Sequence, residues 1–290
     1  MSVQPLFEHR LEVDGYETRV LELEGEGPGL ILFHGFGDSA DTWRPLLDVL
    51  GRRNQRALAV DLPGFGAASR LGPGAILPQL DAFAGALVEW VAENGDPPTQ
   101  VIASGNSLGG VVSLRLAERA DLPIAGVVPI APAGFDMPRW FELIERDPVV
   151  RTVLSLPVPI PRQALALAVG ETFRRLAFAR PGAADRRVLA AMAAHHPSRD
   201  AVHRLITTGR RLLPELTDCY DLLDVECPVL LIWGTRDRMV SHSGAKVLTA
   251  ALPDTRVVLL EGCGHCPQLE ETDRVAELLL AFAADTTVAA

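Results

Sequence analysis

The segment Gly105-Asn106-Ser107-Leu108-Gly109, set between a short apolar run and a helical stretch, limits what this chain can fold into more than any other feature. Residues 100–103 read as a strand buried on both faces, and the stretch from Gly109 to about Arg119 reads as a helix. A serine at such a junction sits on a very tight turn that lifts its hydroxyl clear of the backbone. The turn crowds its neighbours, so Gly105 and Gly109 have to be small. The helix that follows aims its first N–H groups at the same spot, which favours developing negative charge there. The bland alternative is a glycine-rich turn with an incidental serine; the strand before it and the helix after it favour an exposed nucleophile.

The rest of the chain keeps the same rhythm. Residues 6–23 alternate apolar and polar about Asp14-Gly15, the pattern of an antiparallel hairpin. Buried strands are expected at 29–33, 56–60, 100–103 and Ile124–Ile130, with helices near 42–51, 79–93 and 109–119. Strands alternating with helices imply a mostly parallel sheet with right-handed crossovers. The rhythm stops between residues 133 and 217. That block reads as helical, rich in Arg, Ala and Leu, and broken by Pro157, Pro159, Pro161 and Pro181. The alternation resumes with a strand at 228–233, a helix near 242–252, a strand at Arg256–Leu260 and a helix near 273–283, and the tail 286–290 is expected to fray. The expected division is a core of residues 1–132 and 218–290 and an inserted helical lid of residues 133–217.

A net charge of −10 repels phosphate backbones, so nucleic acid is excluded as a partner. The N-terminus lacks the basic-then-apolar pattern of a signal peptide, and the apolar runs are too short to span a bilayer. Cys219, Cys227, Cys263 and Cys266 read as free thiols in a cytoplasmic enzyme-like chain. A homodimer is left open.

Three further loops follow strand ends. His34-Gly35-Phe36-Gly37 comes after the first parallel strand. An acyl-transfer oxyanion needs two preorganised donors, and the backbone N–H groups of Phe36 and Leu108 are placed to supply them. His34 could serve as a base, but packing the loop beneath the site is the favoured role. Gly262-Cys263-Gly264-His265-Cys266-Pro267 puts a histidine on a glycine-flanked loop, as suits a general base. Cys263-x-x-Cys266 suggests a metal instead, yet no second Cys/His pair completes a zinc set, so no metal and no cofactor are expected. Asp237, in Gly234-Thr235-Arg236-Asp237-Arg238, is placed to orient His265. After the strand ending at Ile130 the next carboxylate is Asp136, so Asp237 is preferred.

With His34-Gly35-Phe36-Gly37, Asp61-Leu62-Pro63-Gly64-Phe65-Gly66, Gly105-Asn106-Ser107-Leu108-Gly109-Gly110, Gly234-Thr235-Arg236-Asp237 and Gly264-His265-Cys266-Pro267-Gln268-Leu269-Glu270 in that order, the chain resembles the α/β-hydrolase superfamily over essentially its whole length. The resemblance implies an eight-stranded, mostly parallel sheet with a helical lid over Ser107, Asp237 and His265. It also implies hydrolysis of a carboxylic ester or related acyl bond of a small apolar or aromatic molecule. Dehalogenases and epoxide hydrolases of this fold carry aspartate where Ser107 stands. The elbow Gly105–Gly110 is similar to that of carbon–carbon hydrolases acting on ring-cleavage dienoates, which carry tryptophan where this chain has Cys266. Members that only bind ligands form a third, non-catalytic reading. Gly35, Asn106, Trp140 and Phe141 are the expected substrate contacts, with Phe135, Leu156, Phe173 and Phe178 as further apolar candidates. The lid arginines Arg174, Arg175, Arg180, Arg186 and Arg187 could meet a carboxylate, although a solvated face is the plainer reading, as it is for His195 and His196.

Overall fold

The computed structural model describes residues 4–95, 100–136, 170–171, 173–183, 186–195 and 198–289. The alternating pattern around Asp14-Gly15 folds as expected: β1 (Leu6–Val13) and β2 (Tyr16–Leu23) pair antiparallel from Leu6↔Leu23 to Val13↔Tyr16. The two turn residues take positive φ, 49° and 74°, as a two-residue hairpin turn requires. The other strands are β3 (Glu26–Phe33), β4 (Gln55–Val60), β5 (Val101–Asn106), β6 (Ile124–Ile130), β7 (Leu230–Gly234) and β8 (Arg256–Leu260). They form one eight-stranded sheet in the order β1-β2-β4-β3-β5-β6-β7-β8. From β4 through β8 all neighbours are parallel, and β2 pairs antiparallel with β4.

Both faces of the sheet are covered, which explains why residues 29–33 of β3 are a continuous apolar run. Leu30 and Leu32 point to one side, among Leu46, Leu47 and Leu50 of α1 (Arg44–Arg52) and Leu278, Leu279 and Phe282 of α8 (Thr272–Ala289). Ile31 and Phe33 point to the other, among Leu80, Phe83 and Leu87 of α2 (Leu77–Glu93), Val111 and Val112 of α3 (Leu108–Ala117) and Leu248 of α6 (Gly244–Ala251). Among the described residues the fraying expected from 286 onward is not seen. Helix α8 runs to Ala289, because Thr286 is buried and its hydroxyl donates to the Phe282 carbonyl.

The chain leaves β3 toward β4 and then crosses to β5 on β3's other side. Where such an order reverses, the loops at the carboxyl ends of neighbouring strands diverge and leave a crevice. Ser107 follows β5 and the His34–Gly37 loop follows β3, so both sit at that crevice.

Between β6 and β7 the described residues form helices and no strand: α4 (Arg186–Ala194) and α5 (Arg199–Glu215), preceded by a 3-10 turn at Pro181–Ala183. Ser198 caps α5, its hydroxyl accepting from the Ala201 N–H at 3.2 Å. The end of α5 grips the core. Arg211 donates to the carbonyls of Gly72 and Gly74 at 2.9 and 2.7 Å, and the Glu215 carboxylate accepts from the N–H groups of Ile76 and Leu77 at 2.8 Å. Glu215 thus does for α2 what a local cap residue would do, taking up N–H groups that have no intrahelical acceptor. Glu215→Ala is expected to lower the unfolding free energy by about 1–2 kcal/mol, and Glu215→Gln by less. Urea denaturation checks this, and an unchanged midpoint in the alanine variant contradicts it.

Candidate active site

Ser107 has φ 56° and ψ −110°, a conformation that an L residue adopts only under constraint. The constraint is visible in its neighbours. A Cβ on Gly105 would lie 2.2 Å from the Gly109 carbonyl oxygen, and one on Gly109 would lie 2.0 Å from the Phe33 carbonyl oxygen. Backbone therefore packs directly on backbone where β3, β5 and α3 meet. The Ser107 N–H donates to the Ile130 carbonyl at 3.0 Å, and the Ser107 carbonyl accepts from Val111 and Ala133 N–H. Ser107 heads α3, so the first-turn N–H groups of Leu108, Gly109 and Gly110 lie beside its side chain without intrahelical acceptors.

The His34–Gly37 loop runs alongside. A Cβ on Gly35 would be 3.4 Å from Ser107 Cβ, so this loop's backbone touches the serine. His34 is fully buried. Its Nε2 accepts from the Leu62 N–H at 2.9 Å, which leaves the Nδ1 proton for the Gly35 carbonyl at 2.7 Å. Burial pushes the imidazole down to about 4 and keeps it neutral, so His34 ties two loops together. Asp61 holds the same junction: its carboxylate accepts from Arg19 Nε at 2.9 Å and from the N–H groups of Ala40 and Ala67 at 2.7 Å.

Asp237 and His265 meet at the ends of β7 and β8. His265 Nδ1 lies 2.7 Å from Asp237 Oδ2, and the two side chains are 2% and 0% exposed. The other carboxylate oxygen accepts from Met239 and Val240 N–H at 2.8 and 3.0 Å, and Trp233 Nε1 donates to Oδ2 at 3.2 Å. With Asp237 accepting the Nδ1 proton, the neutral imidazole of His265 presents Nε2 as an acceptor. The two loops also pack backbone to backbone, since a Cβ on Gly234 would lie 2.1 Å from the Gly264 carbonyl oxygen. Among the described residues no hydrogen bond joins Ser107 to His265; in unliganded sites such bonds are often long and tighten when substrate binds.

Asn106 fastens the serine turn to the histidine loop. The sequence suggests a substrate contact, but Asn106 is 2% exposed and its amide is already engaged. It donates to the carbonyls of His265 and Ile130 at 2.9 and 3.2 Å and accepts from Gln268 Nε2 at 3.2 Å. Leu108 is 1% exposed, so only its backbone can serve the site, whereas the Phe36 ring packs edge-on to Phe65 with centroids 5.3 Å apart.

Trp140, Phe141, Leu156 and His196 lie outside the described residues, as do the side chains of Arg186 and Arg187. Phe135 stacks on Tyr220, and Phe178 is buried against Phe173. Arg174 and Arg175 pair with Glu171, and Arg180 pairs with Glu271. His195 is partly buried, with Nε2 3.5 Å from Asp41 Oδ2. Among the described residues no His/Cys/Asp/Glu group could hold a metal ion. Burial pushes the Cys263 thiol up to about 12 and raises Cys266 as well, so neither is poised as a thiolate. No helix among the described residues is long and apolar enough to cross a membrane.

The sequence motifs assign no role to Trp233, Arg19 or Glu270, although Glu270 ends the motif that begins at Gly264. Trp233 had a readable signal, because a buried indole N–H needs an acceptor and Asp237 lies four residues on. Arg19 sits in a hairpin strand 42 residues from Asp61 and carries no local sign of its partner.

The alpha/beta hydrolase family model matches residues 30–278. The chain belongs to the alpha/beta hydrolase family. It is 29% identical over 263 residues to a pimeloyl-[acyl-carrier protein] methyl ester esterase of Aromatoleum aromaticum, covering 87% of this chain and 96% of that protein. Its fold matches a serine hydrolase involved in carbazole degradation at TM-score 0.74 and 22% identity, covering 97% and 99% of the two chains. It also matches a thermophilic esterase from Thermogutta terrifontis at TM-score 0.70 and 17% identity, again covering 97% and 99%. As a member of this family the chain is a hydrolase.

Gly109→Ala forces a Cβ into the Phe33 carbonyl, and expression of folded protein is expected to fall sharply; a melting curve within a few degrees of wild type contradicts this. Asp38, 4% exposed on the loop after Gly37, is pushed up to about 7 by burial, opposed by the Ser39 N–H. Its folded form therefore holds a proton that the unfolded chain releases from about pH 4 upward, so its contribution to stability is lost as pH rises from about 4 through 7. Asp38→Asn removes that slope. The variant should gain on wild type between pH 4.5 and 7.5 in urea titrations, and a pH-independent difference counts against the assignment.

Proposed function

We propose that this hydrolase cleaves a carboxylic ester or related acyl bond of a small apolar molecule by nucleophilic catalysis, with Ser107, His265 and Asp237 as its catalytic residues. One observation carries the reading. A serine held at φ 56° on a strand–helix turn is fastened, through Asn106, to a loop whose histidine is already paired with a buried carboxylate at 2.7 Å. A core asparagine and a surface ion pair would not call for that arrangement.

In this scheme His265 Nε2 takes the proton from Ser107 Oγ as the oxygen attacks the carbonyl carbon. The tetrahedral oxyanion forms between the N–H groups of Leu108, at the head of α3, and Phe36, on the loop against Ser107. Losing one such donor typically costs about 10²–10³ in rate. His265 then hands the proton to the departing alkoxide. Water, deprotonated by His265, hydrolyses the acyl-enzyme. Asp237 fixes the imidazole tautomer and stabilises the imidazolium in both halves. Residues 133–217 act as the lid that shapes the acyl and alcohol pockets. Leu205 of α5 supports this role, because a Cβ on Gly37 would meet its side chain at 3.1 Å. The Aromatoleum relative, named for a methyl ester, supports an ester over a carbon–carbon bond.

The test pairs wild type with Ser107→Ala and Asp237→Asn on p-nitrophenyl butyrate and on a ring-cleavage dienoate. Ester turnover is expected to fall by at least about 10⁴ in Ser107→Ala and by about 10³–10⁴ in Asp237→Asn. Faster cleavage of the dienoate than of the ester moves the substrate class to carbon–carbon bonds. Turnover that survives Ser107→Ala removes the mechanism.

A further inference from the structure

One carboxylate ties the histidine loop to the inserted block. Glu270 closes the short helix α7 (Pro267–Glu270), its N–H donating to the Cys266 carbonyl, and its side chain turns back over the loop. Oε1 accepts from the Gly264 N–H at 2.8 Å, immediately before His265. Oε2 accepts from the Ala179 N–H at 3.0 Å, in the inserted block. The same block returns the contact directly: the His265 N–H donates to the Ala177 carbonyl at 2.7 Å. Gly264 is clamped between them, since a Cβ there would lie 2.5 Å from the Ala177 oxygen, the Ala179 nitrogen and Glu270 Oε1 alike. Ala177 and Phe178 are 0% and 2% exposed, and they pack with Cys266 in a small apolar cluster behind the loop.

Resting on the reading of Ser107, His265 and Asp237 given above, we propose that Glu270 is a positioning residue that couples the seat of the Ala177–Ala179 segment to the alignment of His265. Asp237 fixes the imidazole at Nδ1 but not the height of the backbone that carries it. That height is set by the Asn106 bond to the His265 carbonyl on one side and by the Glu270 strap on the other. Because one end of the strap belongs to the inserted block, a substrate that presses on that block displaces the backbone on which the base rides. A misplacement of about 1 Å at a catalytic group can cost on the order of 10² in rate. Burial raises the Glu270 carboxyl, and the N–H groups of Gly264, Ala179 and Arg180 that it accepts from oppose that rise by favouring the carboxylate.

The experiment uses the full chain with Glu270→Ala and Glu270→Gln. Three quantities are read: kcat and KM on p-nitrophenyl butyrate, the rate at which a fluorophosphonate labels Ser107, and the melting temperature. Glu270→Ala is expected to lower kcat and the labelling rate together by about 10–100-fold while KM stays within about threefold. Glu270→Gln keeps one acceptor oxygen and presents an NH₂ to the other N–H, so its loss is expected to be smaller but present, with melting close to wild type. A purely structural role would lower the melting temperature of Glu270→Ala and leave the folded fraction with wild-type kcat and labelling, which overturns the proposal. If the alanine variant does not fold, the glutamine variant decides: wild-type kcat and labelling overturn the coupling, and a joint loss supports it. Turnover that survives Ser107→Ala overturns the site reading itself, a result distinct from any seen at Glu270.

Discussion

The close passage of Gly109 over the carbonyl of Phe33 governs the geometry of the site. At that point the end of β3, the turn after β5 and the first turn of α3 share a space that has no room for a Cβ. Because the three backbones touch, the loop after β3 comes against Ser107, the head of α3 points at the same place, and Ser107 is driven to positive φ. Strain of this kind, of order 1–3 kcal/mol per residue, persists only where the surroundings over-determine it. Here they do so with buried strands on both sides and with the Ser107 N–H held by the Ile130 carbonyl.

Around that steric contact the chain has built a polar scaffold from side chains. Asn106, His34 and Asp61 each join backbone groups that belong to different loops. Loops that leave adjacent strands cannot satisfy one another by ladder hydrogen bonds, and a buried N–H or C=O without a partner is costly. A side chain that reaches two backbones solves this: His34 accepts from Leu62 N–H and donates to the Gly35 carbonyl, Asn106 donates to two carbonyls, and Asp61 accepts from two N–H groups, which is why these residues are buried although they are polar. The result is a base in which Ser107, His265 and their loops are fixed to one another through buried hydrogen bonds.

Much of this was legible in the sequence because it is written in local terms. The turn at Asp14-Gly15, the continuous apolar runs of β3 and β5, and the glycines around Ser107 each report their own backbone state. Helix ends were less legible. Nothing near Leu77 announces that its N–H is satisfied by Glu215, 138 residues further on, and nothing near Ala283 announces that burial of Thr286 carries α8 onward. Asn106 misled for the same reason. Its place beside the serine suggests contact with substrate, whereas its amide is consumed by partners at positions 130, 265 and 268, which only the closed sheet brings together.

The long-range contacts share a direction. Glu215 and Arg211 fasten α5 to the 72–77 loop, His195 approaches Asp41, Leu205 covers Gly37, and Ala177 and Ala179 meet the histidine loop. All of them run from the block between β6 and β7 to loops at the carboxyl edge of the sheet. Under the proposed function, a pocket assembled this way has its floor set by the sheet and its walls set by the block. The two can vary separately in sequence, since the floor depends on backbone packing and the walls on side-chain bonds to backbone. Under the same proposal, the chemistry falls to the part that cannot change without a clash at Gly105 or Gly109, and selectivity to the part that can.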